Sequence, residues 1–292
     1  MADPTTVDRL APGDHVCWTF DDHERHLKAL ARFVRSGLNR NDQVLYFTDT
    51  FLPDAFLAAL DAYGVAVAAP QRTGQLQVTI ASESYLAGGA FDAERALRGW
   101  NKAIDEARGQ GYAGLRVAAD MGWTVRPVPG VDNLAWYEAQ ANRIFSGAEA
   151  IALCCYDRRL FTAAELDRVG AAHPGTARAG AGSVEEWTPL LRMRRSGPML
   201  TLTGEADLSN REALSTVLAH LLADAGDHEG PVTIDVGGLT FVDIGTARLL
   251  AAAVQADPAR VRLVGVGSPV ADLLAVLDHD PVPLPVFDTD HV

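Results

Sequence analysis

Residues 13–49 read GDHVCWTFDDHERHLKALARFVRSGLNRNDQVLYFTD. Within this stretch Leu27, Leu30, Ala31, Phe33 and Val34 recur at helical spacing, which predicts a helix over His23–Leu38 with one apolar face. A polar turn, Asn39-Arg40-Asn41-Asp42, follows, and the apolar run Val44–Phe47 then predicts a buried strand. Working outward, the same alternation continues: helix Asp54–Tyr63 stopped by Gly64, strand Leu76–Ile80, then helix Asp92–Arg108 with Asp92 as N-cap and Glu94 in its first turn. Strand Leu115–Ala119, helix Asp132–Phe145, strand Ala150–Tyr156 and helix Thr162–Ala172 complete the series. Apolar strands with little alternation, separated by helices, predict a parallel sheet covered on both faces. The small-residue stretch PGTARAGAGS (174–183) predicts a loop, and Glu185–Arg194 a last strand of the first domain. Ser196-Gly197-Pro198 is the best boundary, giving domains 1–195 and 196–292. The second domain restarts the pattern: strand Leu200–Thr203, a helix from Ser209 or Asn210 to Ala223, strand Val232–Val236 and a short extended Phe241–Asp243. Helix Gly245–Gln255, strand Val261–Val266, helix Val270–Leu277 and an irregular tail follow.

Hydrophobic residues make up 48% of the 292 and charged ones 22%, the balance of a soluble globular protein. Uncharged apolar runs fall short of the roughly 18 residues that a membrane span needs. The opening MADPTTVDRL lacks the features of a signal peptide, so a cytoplasmic protein without membrane contact is expected. The net charge of −13 is uneven: residues 199–292 carry 4 Arg, no Lys and 14 acidic side chains. That excludes the basic patch a nucleic-acid binder needs. It suits a basic protein partner, or solubility alone. The three cysteines, Cys17, Cys154 and Cys155, do not make a disulfide framework.

The second domain contains TGEADLSNREAL (203–214), VTIDVGGLTFVDIGTARLLAAAV (232–254) and VRLVGVGSPVADLLAVL (261–277) in that order. This resembles a STAS domain, the fold of anti-sigma factor antagonists, over about 198–285. Gly204-Glu205-Ala206-Asp207 matches the family's G-E-x-D turn, and DVGGLTFVD (235–243) its approach to the regulatory helix. The resemblance implies docking on an anti-sigma factor or serine-kinase-type regulator through Asp207 and the start of that helix. The family's Asp-Ser-Ser-Gly run is here Asp243-Ile244-Gly245-Thr246. The two serine positions therefore lack hydroxyls. Either Thr246 takes the phosphate in their place or phosphorylation does not switch the domain. Asp243 and Thr246 can also be read simply as helix caps.

Residues 13–49, together with ALCCYDRRLF (152–161) and Ala172-His173-Pro174, resemble a MEDS domain, a sensory module of methanogens and methylotrophs, over about 5–190. The resemblance implies sensing of small molecules. The arrangement also resembles RecA-like ATPases, so the expected fold class is α/β: an N-terminal RecA-like parallel-sheet sandwich without a P-loop, and a C-terminal STAS-type domain. A P-loop needs G-x-x-x-x-G-K-[ST], and neither of the two lysines, Lys28 and Lys102, follows a Gly-rich loop.

His15 and Cys17 share one face of an extended segment, and Cys155 and Asp157 one face of another. If these segments adjoin, the four could hold a metal, although no cofactor is required. The same groups can be structural, or His15 can anchor an organic ligand in a mostly apolar pocket with Trp18, Phe20, Trp123 and Tyr156. Asp49 and Asp120 end strands, where parallel sheets bind ligands, or else cap and turn. His173 at a helix end suits a cation meeting the helix dipole, and His23 and His26 read as surface residues. Nucleophile–base motifs are lacking, so catalysis is not expected. The expected function is a sensory regulator whose ligand changes its affinity for a partner. The alternatives are a constitutive scaffold with a degenerate ATPase-like domain, and a metal or thiol redox sensor, favoured if Cys17 and Cys155 approach each other.

Overall fold

The computed structural model describes residues 7, 10–147, 149–179, 185–187, 190–225, 230–277 and 285. The first part is built of strands β1 (His15–Phe20), β2 (Gln43–Thr48), β3 (Leu76–Ile80), β4 (Leu115–Asp120), β5 (Ala150–Asp157), β6 (Gly175–Ala179) and β7 (Glu185–Trp187). They form one sheet in the order β3-β2-β4-β5-β1-β6-β7, parallel except for the antiparallel pair β6/β7. Helices α1 (His23–Asn39) and α2 (Pro53–Ala62) bury Leu30, Phe33, Phe56 and Leu60 against one face. A short α3 (Ala68–Thr73) buries no residue. Helices α4 (Ala93–Gly109), α5 (Leu134–Ser146) and α6 (Ala163–Ala171) cover the other face with Trp100, Tyr137, Phe145 and Val169.

The caps follow the sequence. Asp92 accepts from the Arg95 backbone N–H at 2.9 Å, and Thr162 and Glu165 form a reciprocal capping box that starts α6. The expected loop after Pro174 is instead β6 over Gly175–Ala179; it is a strand because it pairs in parallel with β1. Residues 180–183 of that stretch, and the tail from Asp278 apart from Pro285, lie outside the described residues.

The second sheet has the order β11-β10-β9-β8, made from β8 (Leu191–Ser196), β9 (Met199–Ala206), β10 (Val232–Val242) and β11 (Val261–Val264). Helices α7 (Arg211–Ala225), α8 (Ile244–Ala256) and α9 (Ser268–Leu277) complete its core. The expected strand Glu185–Arg194 is split: β7 joins the first sheet, whereas β8 pairs antiparallel with β9 in the second. Gly197-Pro198 is therefore a hairpin turn, and the 195/196 division falls inside a two-stranded unit. The two pieces read as Val232–Val236 and Phe241–Asp243 are one irregular strand, β10, whose register shifts against β9. At the G-E-x-D turn Gly204 has φ +96°, and a Cβ there would collide with the Leu190 carbonyl. Only glycine fits both demands.

Helix α5 packs on α7. His220 hydrogen-bonds Gln140, and Arg143 approaches Asp224 at 3.7 Å. Arg195 bonds Asp224 at 2.7 Å, and Arg192 grips Asp14 through Nε at 3.0 Å and Nη2 at 3.2 Å.

Candidate functional site

Strands β1 and β5 lie side by side with Cys17 opposite Cys154 and Trp18 opposite Cys155. Paired residues of a parallel ladder share a face, and successive residues alternate. His15, Cys17, Cys154 and Tyr156 therefore face α5, while Trp18, Phe20, Cys155 and Asp157 face the opposite way. The metal set expected from His15, Cys17, Cys155 and Asp157 is thus divided by the sheet. The aromatic set is divided too: Trp123 and Tyr156 belong to the α4/α5 core, Trp18 and Phe20 to the α1/α2 core. Cys17 and Cys155 lie on opposite faces of the sheet, and all three cysteines are free and buried.

On the α5 face, His15 Nε2 lies 3.3 Å from both Glu138 Oε2 and Cys154 Sγ. Cys154 Sγ is 3.5 Å and His173 Nε2 3.6 Å from the same Glu138 oxygen. Tyr156 donates its hydroxyl to Glu138 Oε1 at 2.8 Å. All of these side chains are buried. Burial works against the Glu138 carboxylate, but the His15 hydrogen bond, the two imidazoles and Tyr156 hold it below the usual range. Burial, followed by the Glu138 charge, pushes the Cys154 thiol and the Tyr156 phenol up. Burial also pushes His173 down to about 4, so it is a neutral ring and not the cation expected at a helix end.

On the α1 face, Asp120 is the hub. Its Oδ2 accepts from Tyr46 at 2.7 Å and from the backbone N–H groups of Asp49 at 3.1 Å and Thr50 at 2.9 Å, and its Oδ1 meets His26 Nε2 at 3.2 Å. Burial opposes its charge, and the His26 and Tyr46 hydrogen bonds with that of Thr50 overcome this. His26, read as a surface residue, is fully buried and stacks on Phe20 at 3.7 Å, because it falls on the apolar stripe of α1. Asp49 pairs with Arg126 at 2.7 Å, and Asp157 bonds Arg159 Nε at 2.8 Å beside half-exposed His23. Two groups of donor atoms lie within 4.8 Å of one another, His15/Glu138/Cys154/His173 and His26/Asp120/Cys155, and either could hold a metal.

Sequence reasoning did not single out Glu138. The signal was there: Leu134, Tyr137, Ala141 and Phe145 form the buried stripe of α5, and Glu138 and Asn142 fall on it. A separate pocket of about 520 Å³, lined mainly by Leu45, Phe47, Tyr85, Ala96, Trp100 and Ala103, opens beside α4. Trp100 joins it to α5 by donating to the Tyr137 hydroxyl at 2.6 Å. No residue of the expected ligand set lines this pocket.

In the second sheet Asp243 caps α8, accepting the Thr246 backbone N–H at 2.7 Å, and its other oxygen takes Arg211 of α7 at 2.5 Å. Burial opposes the Asp243 charge; the Thr246 and Arg211 contacts hold it below the usual carboxylate range. The Arg211 guanidinium lies on Gly245, where a Cβ would collide with it. Thr246 is buried. Asp207 accepts from the Ser209 backbone N–H at 2.8 Å and fixes the preceding turn. Leu208, Phe241 and Ile244 are exposed around these residues.

The family described as the methanogen/methylotroph DcmR sensory domain, MEDS, matches residues 14–174. The chain belongs to the MEDS family. A STAS domain, described as Mlab-type, matches residues 190–284, so the MEDS domain is followed by a STAS domain. Comparison with curated proteins finds no match. Among solved structures, the flagellar accessory protein FlaH of Methanocaldococcus jannaschii is 13% identical, covering 67% of this chain and 79% of its own, with a TM-score of 0.42. A KaiC-like protein of Pyrococcus horikoshii OT3 is 10% identical, covering 66% and 78%, with a TM-score of 0.43. A MEDS domain joined to a STAS domain is the architecture of signalling proteins that couple a sensor to a partner-binding module. Both families are regulatory rather than catalytic. Among the described residues no helix is long and apolar enough to cross a membrane.

Proposed function

We propose that this MEDS–STAS protein is a cytoplasmic regulator in which a signal received by the first domain changes how the second docks on an anti-sigma-type kinase regulator. The sensory unit would end after β7 and the docking unit begin at Leu191. The observation that carries the reading is α7. One end of this helix meets α5 through His220 and Asp224, and the other holds Asp243 through Arg211. A shift of α5 therefore reaches the capping residue of α8 through one rigid element.

The docking face in this reading is Asp207, Asp243, Ile244 and Gly245, ringed by Leu208 and Phe241. Exposed apolar residues grouped around a charged pair suit a protein partner. The small-molecule ligand would enter the apolar pocket of about 520 Å³, whose size falls in the usual range for such sites. Thr246 would not be phosphorylated, because its hydroxyl is buried in the first turn of α8.

Ile244→Asp and Phe241→Asp should abolish capture of a purified anti-sigma-type kinase while leaving circular dichroism unchanged. Equal capture by these variants would sink the docking reading. Native against denaturing mass spectrometry of the full chain tests the pocket: an organic mass lost on denaturation is expected. Partner affinity that is the same with and without that molecule would sink the sensory coupling.

A further inference from the structure

The α5-face cluster has more than the residue types of a metal site. It has the proton arrangement of one. Asn142 Nδ2 is spent on three carbonyls, those of Ala172 at 2.7 Å, Ala139 at 3.0 Å and Glu138 at 3.3 Å. Its Oδ1 therefore faces His15 Nδ1, at 2.9 Å, as an acceptor, and Nδ1 carries the proton. His173 Nδ1 likewise donates to the Val169 carbonyl at 2.7 Å. Both Nε2 atoms are thereby left facing the Glu138 carboxylate, where the Cys154 thiol joins them. Four such atoms converging on one buried point can share either protons or a metal ion. His173 Nε2 has no hydrogen-bond partner among the described residues.

We propose that His15 Nε2, His173 Nε2, Cys154 Sγ and Glu138 Oε2 form a closed tetrahedral site for Zn²⁺. Zinc takes such ligands at about 2.0–2.3 Å, which sets the edges of the tetrahedron at about 3.3–3.6 Å. Four of the six separations within the cluster are 3.3, 3.3, 3.5 and 3.6 Å, and the other two are within 4.8 Å. Two neutral imidazoles, a carboxylate and a thiolate bring two negative charges to a divalent ion, so the buried site is neutral overall. Imidazole and thiolate donors select zinc over magnesium or calcium. The hydrogen bonds from Nδ1 to Asn142 and Val169 are the outer contacts that orient metal-binding histidines. Binding displaces the Cys154 proton to solvent. The ligands come from β1, α5, β5 and the residue that follows α6 closely, and all are buried, so the ion would enter as the domain folds. It would hold Glu138, and with it the helix that meets α7. The site is independent of whether the docking reading holds.

The α1-face cluster does not have this arrangement. The Asp120 oxygens are already taken by a hydroxyl, an imidazole and two backbone N–H groups.

The test is the full chain produced in medium supplemented with Co²⁺ as a spectroscopic substitute. One cobalt per chain is expected, with tetrahedral d–d absorption and a thiolate-to-cobalt charge-transfer band. Cys154→Ser should remove that band, whereas Cys155→Ser and Cys17→Ser should keep it. Wild-type protein lacking the band would overturn the proposal. So would a band that survives Cys154→Ser or disappears in either of the other variants with the fold intact. Should Cys154→Ser fail to fold, the other two variants still assign the sulfur by elimination.

Discussion

Cys154 and Cys155 are neighbours in the chain, yet each belongs to a different buried cluster on opposite faces of the same strand. Both clusters combine imidazole, carboxylate and thiol. The difference lies in where the protons are. Around Asp120 every carboxylate oxygen is met by a protein donor, which locks the loop after β2 to the sheet, although His26 Nδ1 has no hydrogen-bond partner among the described residues. Around Glu138 the Nδ1 donors of the two histidines point outward, to Asn142 and Val169, and their Nε2 atoms point inward, towards the Cys154 thiol and the carboxylate. Residue composition alone does not separate a structural hub from a metal site; hydrogen-bond direction does.

The largest effect should come from the hub. Asp120→Ala leaves Tyr46, His26 and the N–H groups of Asp49 and Thr50 without their acceptor. Breaking such a buried charged network costs about 3–5 kcal/mol. Urea denaturation should show the loss equally with and without added zinc, and a metal-dependent loss would break the contrast between the two faces.

Zinc supply should separate the two faces next. Zinc present during refolding should stabilise the wild type and Cys155→Ser but not Cys154→Ser. At a hundredfold excess over Kd the gain is about 2.7 kcal/mol. Thermal melts with and without chelator during refolding measure it.

A fourth buried histidine, His220, separates burial from ligand geometry. Burial, followed by the Arg143 charge, pushes His220 down to about 4, with Asp224 opposing and Arg195 adding to the effect. It faces Gln140 and not a set of metal donors. As pH falls, the unfolded chain takes up this proton first, near 6.5. Its contribution is therefore whole above about 6.5 and lost as pH falls towards about 4. The loss should be on the order of 1–2 kcal/mol. His220→Gln should reduce the pH dependence of stability in that window, leaving the share of His173, and leave metal uptake unchanged.

The smallest effect should come from Thr162→Ala, which removes the capping box of α6. It should cost about 1 kcal/mol in denaturant unfolding. Cobalt uptake should stay intact, because α6 positions His173 without supplying a donor.

Much of the fold was legible in the sequence. Apolar stripes and caps located α1, α4 and α6 to within a residue or two, and the parallel arrangement followed from unbroken apolar strands. Helix α3 was not legible, because it buries no side chain and so leaves no periodic trace. Neither was β6: the run Gly-Thr-Ala-Arg-Ala reads as a loop until β1 offers it a ladder. Half of the donor set stood out in the sequence, as His15 and His173, but the roles differed. His173 reads as a cation for the helix dipole, and its burial makes it neutral. Glu138 and His26 each sit on a stripe position that marks them as buried polar groups.

The sequence by itself determined the two α/β units, their order and their families, because periodicity, caps and motifs are local and need no partner. It also determined that His15 and Cys17 share a face, a property of any extended segment. Only the tertiary structure decided which cysteine joins His15. That depends on the register of β1 against β5, and a shift of one residue exchanges the two faces. The same register, with the roll of α5 over the sheet, brings Glu138 to His173 and turns both histidine Nε2 atoms inward.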